Sequence, residues 1–481
     1  MATEQRIPLI IDGKDVTLSD RDFPVVNAAK NVTVATAQGA SVEVAIQAVE
    51  SAQRAFITWA GVKPQERRRL LQNLGQVVQS WETKFLEAMM LDTSCAEPYA
   101  KHNLRESVEF IREAAALTTS QVLEGSIPST VEDNSLALVL NEPLGVILSI
   151  VPWNAPLILG VRAFLGPVVA GNTVVIKACC FGSELSPQTH YLMVKAIQEA
   201  GFPPGVVNLI QHRPEDAQEI NTTMIAHRAV RKLTFTGSTR VGSIVAACAA
   251  QHLKPALMEL GGKCPLIILE DADLEAAALA AVIGAFDNAG QVCMSTERII
   301  VVRSVVDQLL KHIRSVLQNF PARCDMVTEK AANRTLALID DALSKGAVLQ
   351  TGTRADLLHG ASMATTVISN LTPEMDLFTT ESFGACVGII EVQDTSAAVE
   401  IANSSFYGLS ASVFSKDLSR AIAVGKMLQS GAVHINSMTL HDEATLPHGG
   451  VKDSGYGRFG SRWGISEFLQ TKTILVHGIK I

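Results

Sequence analysis

One cysteine stands in a context that suits a nucleophile. Cys293 follows Gly290 and Gln291 at the end of a long alanine-rich apolar segment. A helix that breaks at the glycine can present the thiol at an exposed loop tip on a rigid scaffold, where its reactive thiolate form can reach a substrate. A buried structural thiol is the commoner fate of a lone cysteine, and the local residues alone favour it. A catalytic interpretation therefore needs a base and an oxyanion donor from elsewhere in the chain.

Two polar residues at predicted strand ends could supply those groups. Asn154 lies between Pro152 and Pro156, and a rigid amide that stabilises an oxyanion contributes roughly 2.7–4 kcal/mol to lowering a barrier. Glu259 precedes two glycines, and a carboxyl group in apolar surroundings has a raised pKa and can activate water. The alternative for Asn154 is a turn asparagine without a catalytic role, and the alternative for Glu259 is a helix-capping or ion-paired glutamate.

Two further stretches could bind parts of a cofactor. Gly237 and Ser238 join a predicted strand, residues 230–235, to a predicted helix, residues 240–252, and free N–H groups at a helix start suit a phosphate. The spacing to Gly242 is not that of GxGxxG, so an N-capped surface helix is the alternative. Glu381 and Phe383 offer a carboxylate for ribose hydroxyls and an aromatic face for a planar ring.

The elements that would position these residues alternate between strand and helix. Strands are predicted at residues 145–151, 171–177, 205–210 and 230–235, with helices at 187–200 and 240–252. This rhythm predicts a doubly wound parallel sheet, whose ligands bind at the carboxyl ends of its strands. It restarts with strand 265–269, helix 274–288 and strand 298–302, which predicts a second α/β unit carrying Cys293.

The remaining segments are predicted to be helical or to pair as strands. Four helical tracts are predicted at residues 41–60, 66–80, 82–91 and 100–116. Alternating residues near 130–141 predict a short strand that leaves the domain as a flap, and residues 470–477 predict a terminal strand.

Composition excludes several classes of protein. The chain has 481 residues with 47% hydrophobic and 18% charged residues, which is typical of a large globular protein of two or three domains. The net charge of -8 argues against a nucleic-acid or anionic-membrane partner. Eight cysteines without a CxxC pair or zinc-like spacing favour a reducing compartment and predict no metal site. With no signal or transit character at the start, we expect a cytoplasmic protein.

Six stretches together resemble the aldehyde dehydrogenase superfamily, in its order and at about its spacing. They are Pro152-Trp153-Asn154, Phe235-Thr236-Gly237-Ser238-Thr239, Glu259-Leu260-Gly261-Gly262-Lys263, Gly290-Gln291-Val292-Cys293, Glu381-Ser382-Phe383-Gly384 and the run PHGGVKDSGYGR at residues 447–458. The stretch His441-Asp442-Glu443 resembles the branch that acts on salicylaldehyde, vanillin and related aromatic aldehydes.

The resemblance implies a set of roles. Cys293 would add to the aldehyde carbon, the Asn154 amide and the Cys293 N–H would stabilise the oxyanion, and Glu259 would activate the water that hydrolyses the thioester. The implied cofactor is NAD, with NADP as an alternative. The residues implied to bind it are Trp153, Lys177, Glu184, Gly237, Ser238, Glu381 and Phe383.

Three departures from the family pattern stand out. The simplest alignment inserts Cys-Cys-Phe-Gly after Lys177, which makes Glu184 the ribose carboxylate and leaves the preference between NAD and NADP open. The segment 320–330 is short and lacks the usual Gly-Pro-Leu, which affects stability more than chemistry. Cys264 follows Lys263, where we expect a packed core thiol rather than an oxidation-prone one.

The resemblance implies an α/β protein with three parts. A doubly wound, Rossmann-like cofactor domain comprises residues 1–126 and 144–261, a second α/β catalytic domain comprises 262–454, and a small β oligomerisation flap comprises 127–143 and 467–481. The expected activity is NAD(P)-dependent oxidation of an aromatic or apolar aldehyde in a homodimer or homotetramer. A coenzyme A-acylating enzyme and a scaffold that has lost turnover are the alternatives, and Glu259 argues against the first.

Overall fold

A computed structural model describes residues 6–178 and 185–479 of the chain. Within these residues the first strands are β1 Arg6–Ile7, β2 Leu9–Ile11, β3 Lys14–Val16, β4 Asp22–Asn27, β5 Val32–Gln38, β6 Ser135–Pro143, β7 Val146–Val151, β8 Thr173–Ala178, β9 Val207–Ile210, β10 Val230–Thr236, β11 Ala256–Glu259 and β12 Cys264–Ile268. The later strands are β13 Thr296–Val302, β14 Arg323–Asp325, β15 Val348–Leu349, β16 Leu358–His359, β17 Ser362–Ala364, β18 Thr366–Ser369, β19 Cys386–Val392, β20 Tyr407–Gly408, β21 Ser410–Phe414, β22 Ala432–Ile435, β23 Val451–Lys452, β24 Gly455–Tyr456 and β25 Leu469–His477.

The helices pack around these strands. They are α1 Val42–Trp59, α2 Pro64–Ser80, α3 Glu82–Thr93, α4 Glu97–Leu117, α5 Pro156–Val169, α6 Pro187–Glu199, α7 Ala217–Ala226, α8 Thr239–Gln251, α9 Leu274–Phe286, α10 Val306–Leu317, α11 Glu329–Ser344, α12 Asp376–Thr379, α13 Thr395–Asn403, α14 Leu418–Met427 and α15 Ser461–Ser466.

The first large sheet has the strand order β24-β11-β10-β7-β8-β9-β2-β3. Its five central strands run parallel, whereas β24, β2 and β3 join antiparallel at the two edges. Strands β7 and β8 are buried on both faces, which explains why they read as continuous apolar runs. Separate apolar clusters cover the two faces, so the expected doubly wound sheet is confirmed.

The second large sheet has the order β15-β18-β19-β13-β12-β21-β22, and only β15 in it is antiparallel. Its own apolar cluster packs α9, α10 and α11 against these strands. The α/β fold class is therefore confirmed for both units. The domain bounds at residues 126, 144, 261 and 454 stay a prediction.

The flap is a two-stranded antiparallel sheet in which β6 and β25 pair over nine residues, from Leu469 opposite Pro143 to His477 opposite Ser135. It leaves apolar side chains in solvent, because Leu140, Ile474, Leu475 and Val476 are all more than a third exposed.

The structure departs from the sequence prediction in two places. The first forty residues carry strands β1 to β5, for which the sequence pattern gave no prediction. Helix α9 ends at Phe286 rather than at residue 288, and the difference creates the turn that carries the nucleophile candidate.

Candidate active site

Four neighbouring strands of the first sheet deliver candidate residues to one edge. Strands β11, β10, β7 and β8 lie side by side and parallel, so their carboxyl ends meet. Glu259 ends β11 and lies opposite Thr236, the last residue of β10. Gly237 and Ser238 follow Thr236 along the chain. Asn154 follows β7, and Lys177 lies at the end of β8. The predicted strand ends therefore converge as the topology requires.

The turn after α9 presents Cys293 through an unusual run of backbone conformations. Asn288, Ala289 and Gly290 have φ values of 47°, 59° and 72°, which lie in the left-handed region. A Cβ at Gly290 would lie 2.3 Å from the carbonyl oxygen of Gly384, so this position admits no side chain. The chain then enters β13 at Thr296, with Cys293 partly exposed in front of it.

Contacts from both units hold this turn. The Asn154 side-chain amide donates to the Gln291 carbonyl over 3.0 Å, and Thr439 Oγ1 donates to the Met294 carbonyl over 2.7 Å. The Gln291 side-chain oxygen accepts from the Val327 N–H over 2.9 Å. The position of the thiol is therefore set by residues from distant parts of the sequence.

The Cys293 thiol lies against Glu259. Its Sγ donates to Glu259 Oε1 over 3.1 Å. Burial raises the pKa of Cys293 to about 12, although the nearby charge of Arg162 acts in the opposite direction. The resting nucleophile is thus a thiol that needs a base, and a carboxylate is in direct contact with it.

Three residues that the sequence analysis gave no role surround that carboxylate. Arg162 in α5 pairs with Glu259 Oε2, and its second terminal nitrogen pairs with Asp442 Oδ2 at 2.9 Å. His448 Nε2 lies 3.3 Å from Glu259 Oε1. A signal for Arg162 was present, since it is the lone charged residue in the apolar helix Pro156–Val169. Asp442 and His448 stand within stretches that carried the family resemblance, but nothing local marked them.

Asn154, the predicted oxyanion donor, lies against the turn that carries Cys293. One of its two side-chain N–H groups is used by Gln291, two residues before Cys293, which leaves the second for a ligand. The Asn288 amide donates to the Asn154 carbonyl over 3.1 Å and the Tyr99 hydroxyl donates to it over 3.2 Å. Both donors restrain the backbone of Asn154.

The start of α8 is open to a ligand. Ser238 is its N-cap but accepts no capping hydrogen bond in the part of the chain that the structure describes. A Cβ at Gly237 would lie 2.8 Å from the Phe235 ring, so only glycine fits there. The Gly237 N–H donates to the Glu259 carbonyl over 3.1 Å, which ties this turn to the candidate base. The structure thus leaves both the phosphate-binding prediction and the alternative of an N-capped surface helix open, with Ser238 as an N-cap whose side chain makes no capping hydrogen bond among the described residues.

Glu381 is buried beside the same edge. Its Oε1 accepts from the Gly262 N–H over 3.0 Å, and a Cβ at Gly261 would lie 2.4 Å from its Oε2. Burial raises the pKa of Glu381 to about 7, and the negative charge of Glu297 adds to the effect. This carboxyl group therefore titrates near neutral pH.

Glu297, which the sequence analysis missed, shapes the loop that carries Glu381 and Phe383. It forms a buried ion pair with Lys263 and accepts from the backbone N–H groups of Ser382 and Phe383 at 2.9–3.2 Å. Phe383 has a φ of 48°. Its ring contacts the edge of the Trp153 ring with centroids 5.9 Å apart, so two predicted cofactor residues meet across the cleft.

Lys177 is fully buried, so the alternative of a surface lysine is wrong. Its Nζ donates to the Ala178 carbonyl over 2.8 Å and lies 2.6 Å from His212 Nε2. Burial, followed by the charge of Lys177, lowers the pKa of His212 to about 3, which keeps the imidazole neutral as an acceptor. Glu184, the predicted ribose carboxylate, lies outside the described residues.

The second thiol near the site belongs to the core. Cys264 is buried at the start of β12, and its Sγ contacts the Cys293 carbonyl at 3.6 Å. Burial raises its pKa to about 12. It therefore packs beneath the nucleophile candidate.

Within residues 6–178 and 185–479, no group of three His, Cys, Asp or Glu side chains could hold a metal ion. No described helix combines the length and the apolar character needed to cross a bilayer. The cytoplasmic location stays a prediction.

Comparisons with known proteins agree with this geometry. The sequence matches the family model described as the aldehyde dehydrogenase family over residues 16–474. It is 43% identical to vanillin dehydrogenase of Pseudomonas fluorescens over 478 residues, which cover 97% of each chain. The fold matches the crystal structure of a salicylaldehyde dehydrogenase from Pseudomonas putida G7 complexed with salicylaldehyde, with a TM-score of 0.94, 39% identity and 99% of both chains covered. It also matches an NADP-dependent glyceraldehyde-3-phosphate dehydrogenase from Bacillus halodurans C-125 complexed with NADP, with a TM-score of 0.93, 30% identity and coverage of 99% of this chain and 100% of that one.

Proposed function

Because the chain belongs to the aldehyde dehydrogenase family of oxidoreductases, we propose that it oxidises an aldehyde to the carboxylate with Cys293 as the nucleophile and Glu259 as the base. The observation that carries this assignment is the 3.1 Å hydrogen bond from the Cys293 thiol to Glu259, at the strand edge where the cofactor candidates also converge. A nucleophile in contact with a base is the arrangement that covalent catalysis requires.

The residues at this edge suit a dinucleotide. The open start of α8 at Ser238 and the side-chain-free Gly237 would bind the phosphates. The buried Lys177 would donate to a ribose hydroxyl, and the buried Glu381 would accept from one. Trp153 and Phe383 would flank the nicotinamide end. When bound, the cofactor supplies a hydride acceptor. NAD is proposed, with NADP as the alternative.

The chain's own residues then account for the remaining chemistry. Glu259 takes the thiol proton as Cys293 Sγ adds to the aldehyde carbon, and the free N–H of Asn154 stabilises the resulting oxyanion. Loss of hydride from the thiohemiacetal carbon leaves a thioester on Cys293. Once Glu259 has released the thiol proton, it removes a proton from the water that attacks the thioester. The carboxylate product leaves, and the departing Cys293 thiolate recovers a proton to restore the resting thiol.

The proposed substrate is an aromatic aldehyde. This part of the proposal is supported by the 43% identity to a vanillin dehydrogenase and by the 39% identity to a salicylaldehyde dehydrogenase, both over nearly whole chains. A coenzyme A-acylating reaction is disfavoured by the contact of Glu259 with the thiol, because a coenzyme thiol does not need a base that activates water.

The direct test is the formation of NADH or NADPH, followed by absorbance, with a panel of aromatic and aliphatic aldehydes. We expect turnover of aromatic aldehydes, and none with Cys293→Ala. Cys248→Ala, which removes a partly exposed thiol near the end of α8, is the matched control and should leave turnover unchanged. Absence of activity with every aldehyde, or full activity of Cys293→Ala, would overturn the proposal.

The cofactor preference has its own test. If Glu184 accepts hydrogen bonds from the adenosine ribose, Glu184→Ala should weaken NAD binding and leave NADP binding less affected. Titration of each cofactor, followed by protein fluorescence, measures both affinities. An unchanged affinity for NAD would show that Glu184 is not the ribose ligand.

We also propose a homodimer or homotetramer assembled through the flap. The support is the row of apolar side chains that β25 leaves in solvent, among which Leu475 is 49% exposed. Leu475→Lys should lower the assembly state measured by sedimentation velocity. Ile57→Lys, at an exposed position on α1, should not change it. Equal sedimentation of the Leu475→Lys variant and the parent would rule out this surface.

A further inference from the structure

Two carboxylates, a guanidinium and an imidazole form a closed ring beside the thiol. Arg162 bridges Glu259 and Asp442 through one oxygen of each. His448 faces the other oxygen of each, with Nε2 at 3.3 Å from Glu259 Oε1 and Nδ1 at 3.6 Å from Asp442 Oδ1. Arg162, Glu259 and His448 are buried, whereas the Asp442 side chain is 15% exposed. Such a buried ring of charge is costly unless its members are held in place.

Phe459 contacts both Arg162 and His448. Its ring lies under the Arg162 guanidinium, with 4.7 Å between the guanidinium carbon and the ring centroid. Its backbone exchanges two hydrogen bonds with His448, of 2.9 Å and 2.8 Å. These main-chain contacts fix the backbone of His448 beside the carboxylates.

Arg162 and His448 differ in whether they can accept a proton from Glu259. A guanidinium carries its proton at all relevant pH values, so Arg162 can orient Glu259 through Oε2 but cannot accept a proton from it. Oε1 is the oxygen to which the Cys293 thiol donates, and His448 Nε2 approaches that same oxygen. Within the described residues Nε2 makes no well-aligned hydrogen bond, although it is buried. A buried nitrogen that lies 3.3 Å from the candidate base and makes no well-aligned hydrogen bond among the described residues needs an explanation.

We propose that His448, oriented by Asp442, is the positioning residue that receives from Glu259 the proton first taken from Cys293. The S–H bond breaks as Glu259 Oε1 accepts the proton, and the O–H bond then breaks as Nε2 accepts it. Asp442 compensates the imidazolium, and its partial exposure gives the proton a way to solvent. The same transfer serves the proton of the hydrolytic water. The proposal rests on the roles given to Cys293 and Glu259 above.

The surroundings of His448 set its charge. Burial lowers its pKa to about 4, whereas Asp442 acts to raise it, so the imidazole is neutral at rest and can accept a proton. When the thiol proton leaves, the new negative charge on sulfur stabilises the imidazolium. The charged and titratable groups that face it are Glu259, Asp442, Arg162, Arg458 and His434.

The first test separates proton transfer from packing by kinetics. His448→Gln keeps a polar side chain that cannot be protonated, so we expect kcat to fall about 100-fold, within the range for general acid–base groups, with KM values little changed. His434→Asn is the matched control. His434 is also a histidine with a pKa lowered to about 4 by burial, but its ring contacts His441 rather than Glu259. We expect near-normal kcat for it.

The second test reads the thiol directly and needs no turnover. Alkylation of Cys293 by iodoacetamide at pH 7 depends on removal of its proton, so His448→Gln should react about 10-fold more slowly than the parent. A purely structural role would loosen the site and leave the reaction unchanged or faster. Asp442→Asn should also slow it, because the imidazolium then loses its compensating charge.

Chemical rescue provides a third readout. Added imidazole should restore part of kcat in His448→Ala and none in Cys293→Ala. A kcat of His448→Gln within about twofold of the parent, or alkylation at the parent rate, would overturn the proposal. Loss of the proposed function itself would look different, since the parent chain would then fail to turn over any aldehyde.

Discussion

The thiol of Cys293 and the carboxylate of Glu259 are in contact, with Sγ donating to Oε1 over 3.1 Å. The proposed nucleophile and base belong to different sheets, because Glu259 ends β11 and Cys293 precedes β13. Their contact means that one carboxylate can serve both the formation and the hydrolysis of the thioester.

This contact predicts the phenotype of Glu259→Gln. If Glu259 acted only on the hydrolytic water, the variant would still release one equivalent of NADH per site in a rapid burst. Because we propose that it also deprotonates Cys293, we expect no burst and a fall in kcat of about 10³-fold. Stopped-flow absorbance measures both phases. Glu443→Gln, a nearby carboxylate that is exposed, is the control; a full burst in Glu259→Gln would contradict the dual role.

Asn154→Ala should lower kcat by about 10²- to 10³-fold, because the oxyanion loses its side-chain donor. Cofactor affinity should change little. The variant also removes the hydrogen bond to the Gln291 carbonyl, so thermal unfolding should be measured beside activity. Asn333→Ala, at an exposed position on α11, controls for loss of an amide. Parent-like kcat in Asn154→Ala would exclude it from the oxyanion hole.

Gly290→Ala should damage both stability and activity. Its φ of 72° costs an L-residue roughly 1–2 kcal/mol, and the new Cβ would meet the Gly384 carbonyl at 2.3 Å. Gly346→Ala is a matched control, because Gly346 has a φ of 97° but nothing within 4 Å of a Cβ. Urea unfolding should show a larger loss for Gly290→Ala, and only that variant should lose turnover. Equal losses would show that the clash with Gly384 is relieved.

Glu381 makes stability depend on pH. Its pKa is raised to about 7 in the folded chain from the ordinary 4.5, so the unfolded chain releases this proton at lower pH than the folded chain. The contribution of Glu381 to stability is therefore present below about pH 4.5 and is lost as pH rises through 7. The shift corresponds to about 3 kcal/mol. Relative to Glu381→Gln, the parent should lose stability between pH 5 and pH 8, as measured by urea unfolding at each pH. Glu400→Gln, an exposed control on α13, should show no such trend.

Local pattern was sufficient to predict strands β7 to β10 of the first sheet, strands β12 and β13 of the second, and helices such as α6. It did not predict the parallel strands β18, β19, β21 and β22. The predicted helix 187–200 is α6 Pro187–Glu199, and the predicted strand 145–151 is β7 Val146–Val151. Continuous apolar runs and helical periodicity carry that information within one segment. The edge strands were missed or misplaced because their pairing is non-local: β24 joins the first sheet against β11, almost two hundred residues earlier in the chain.

The candidate site was predictable where a motif carried it and not elsewhere. Cys293, Glu259 and Asn154 are placed in mutual reach, but their roles rest on the proposed reaction. Arg162, Asp442 and His448 could not be assigned from sequence, because their significance lies in distances between segments that only the fold brings together. The role of Glu297 could not be predicted either, because its contacts with Lys263, Ser382 and Phe383 join segments that are distant in the sequence.

The turn that carries the thiol is held by Asn154 from the first unit and by Thr439 from the second. Thr439, and His448 beside Glu259, follow Cys293 by about 150 residues along the chain. The complete set of contacts around this turn therefore requires that the C-terminal part of the chain has packed against it. A chain that ends before Thr439 would carry Cys293 without the hydrogen bond to the Met294 carbonyl and without the ring of charged groups that contains His448.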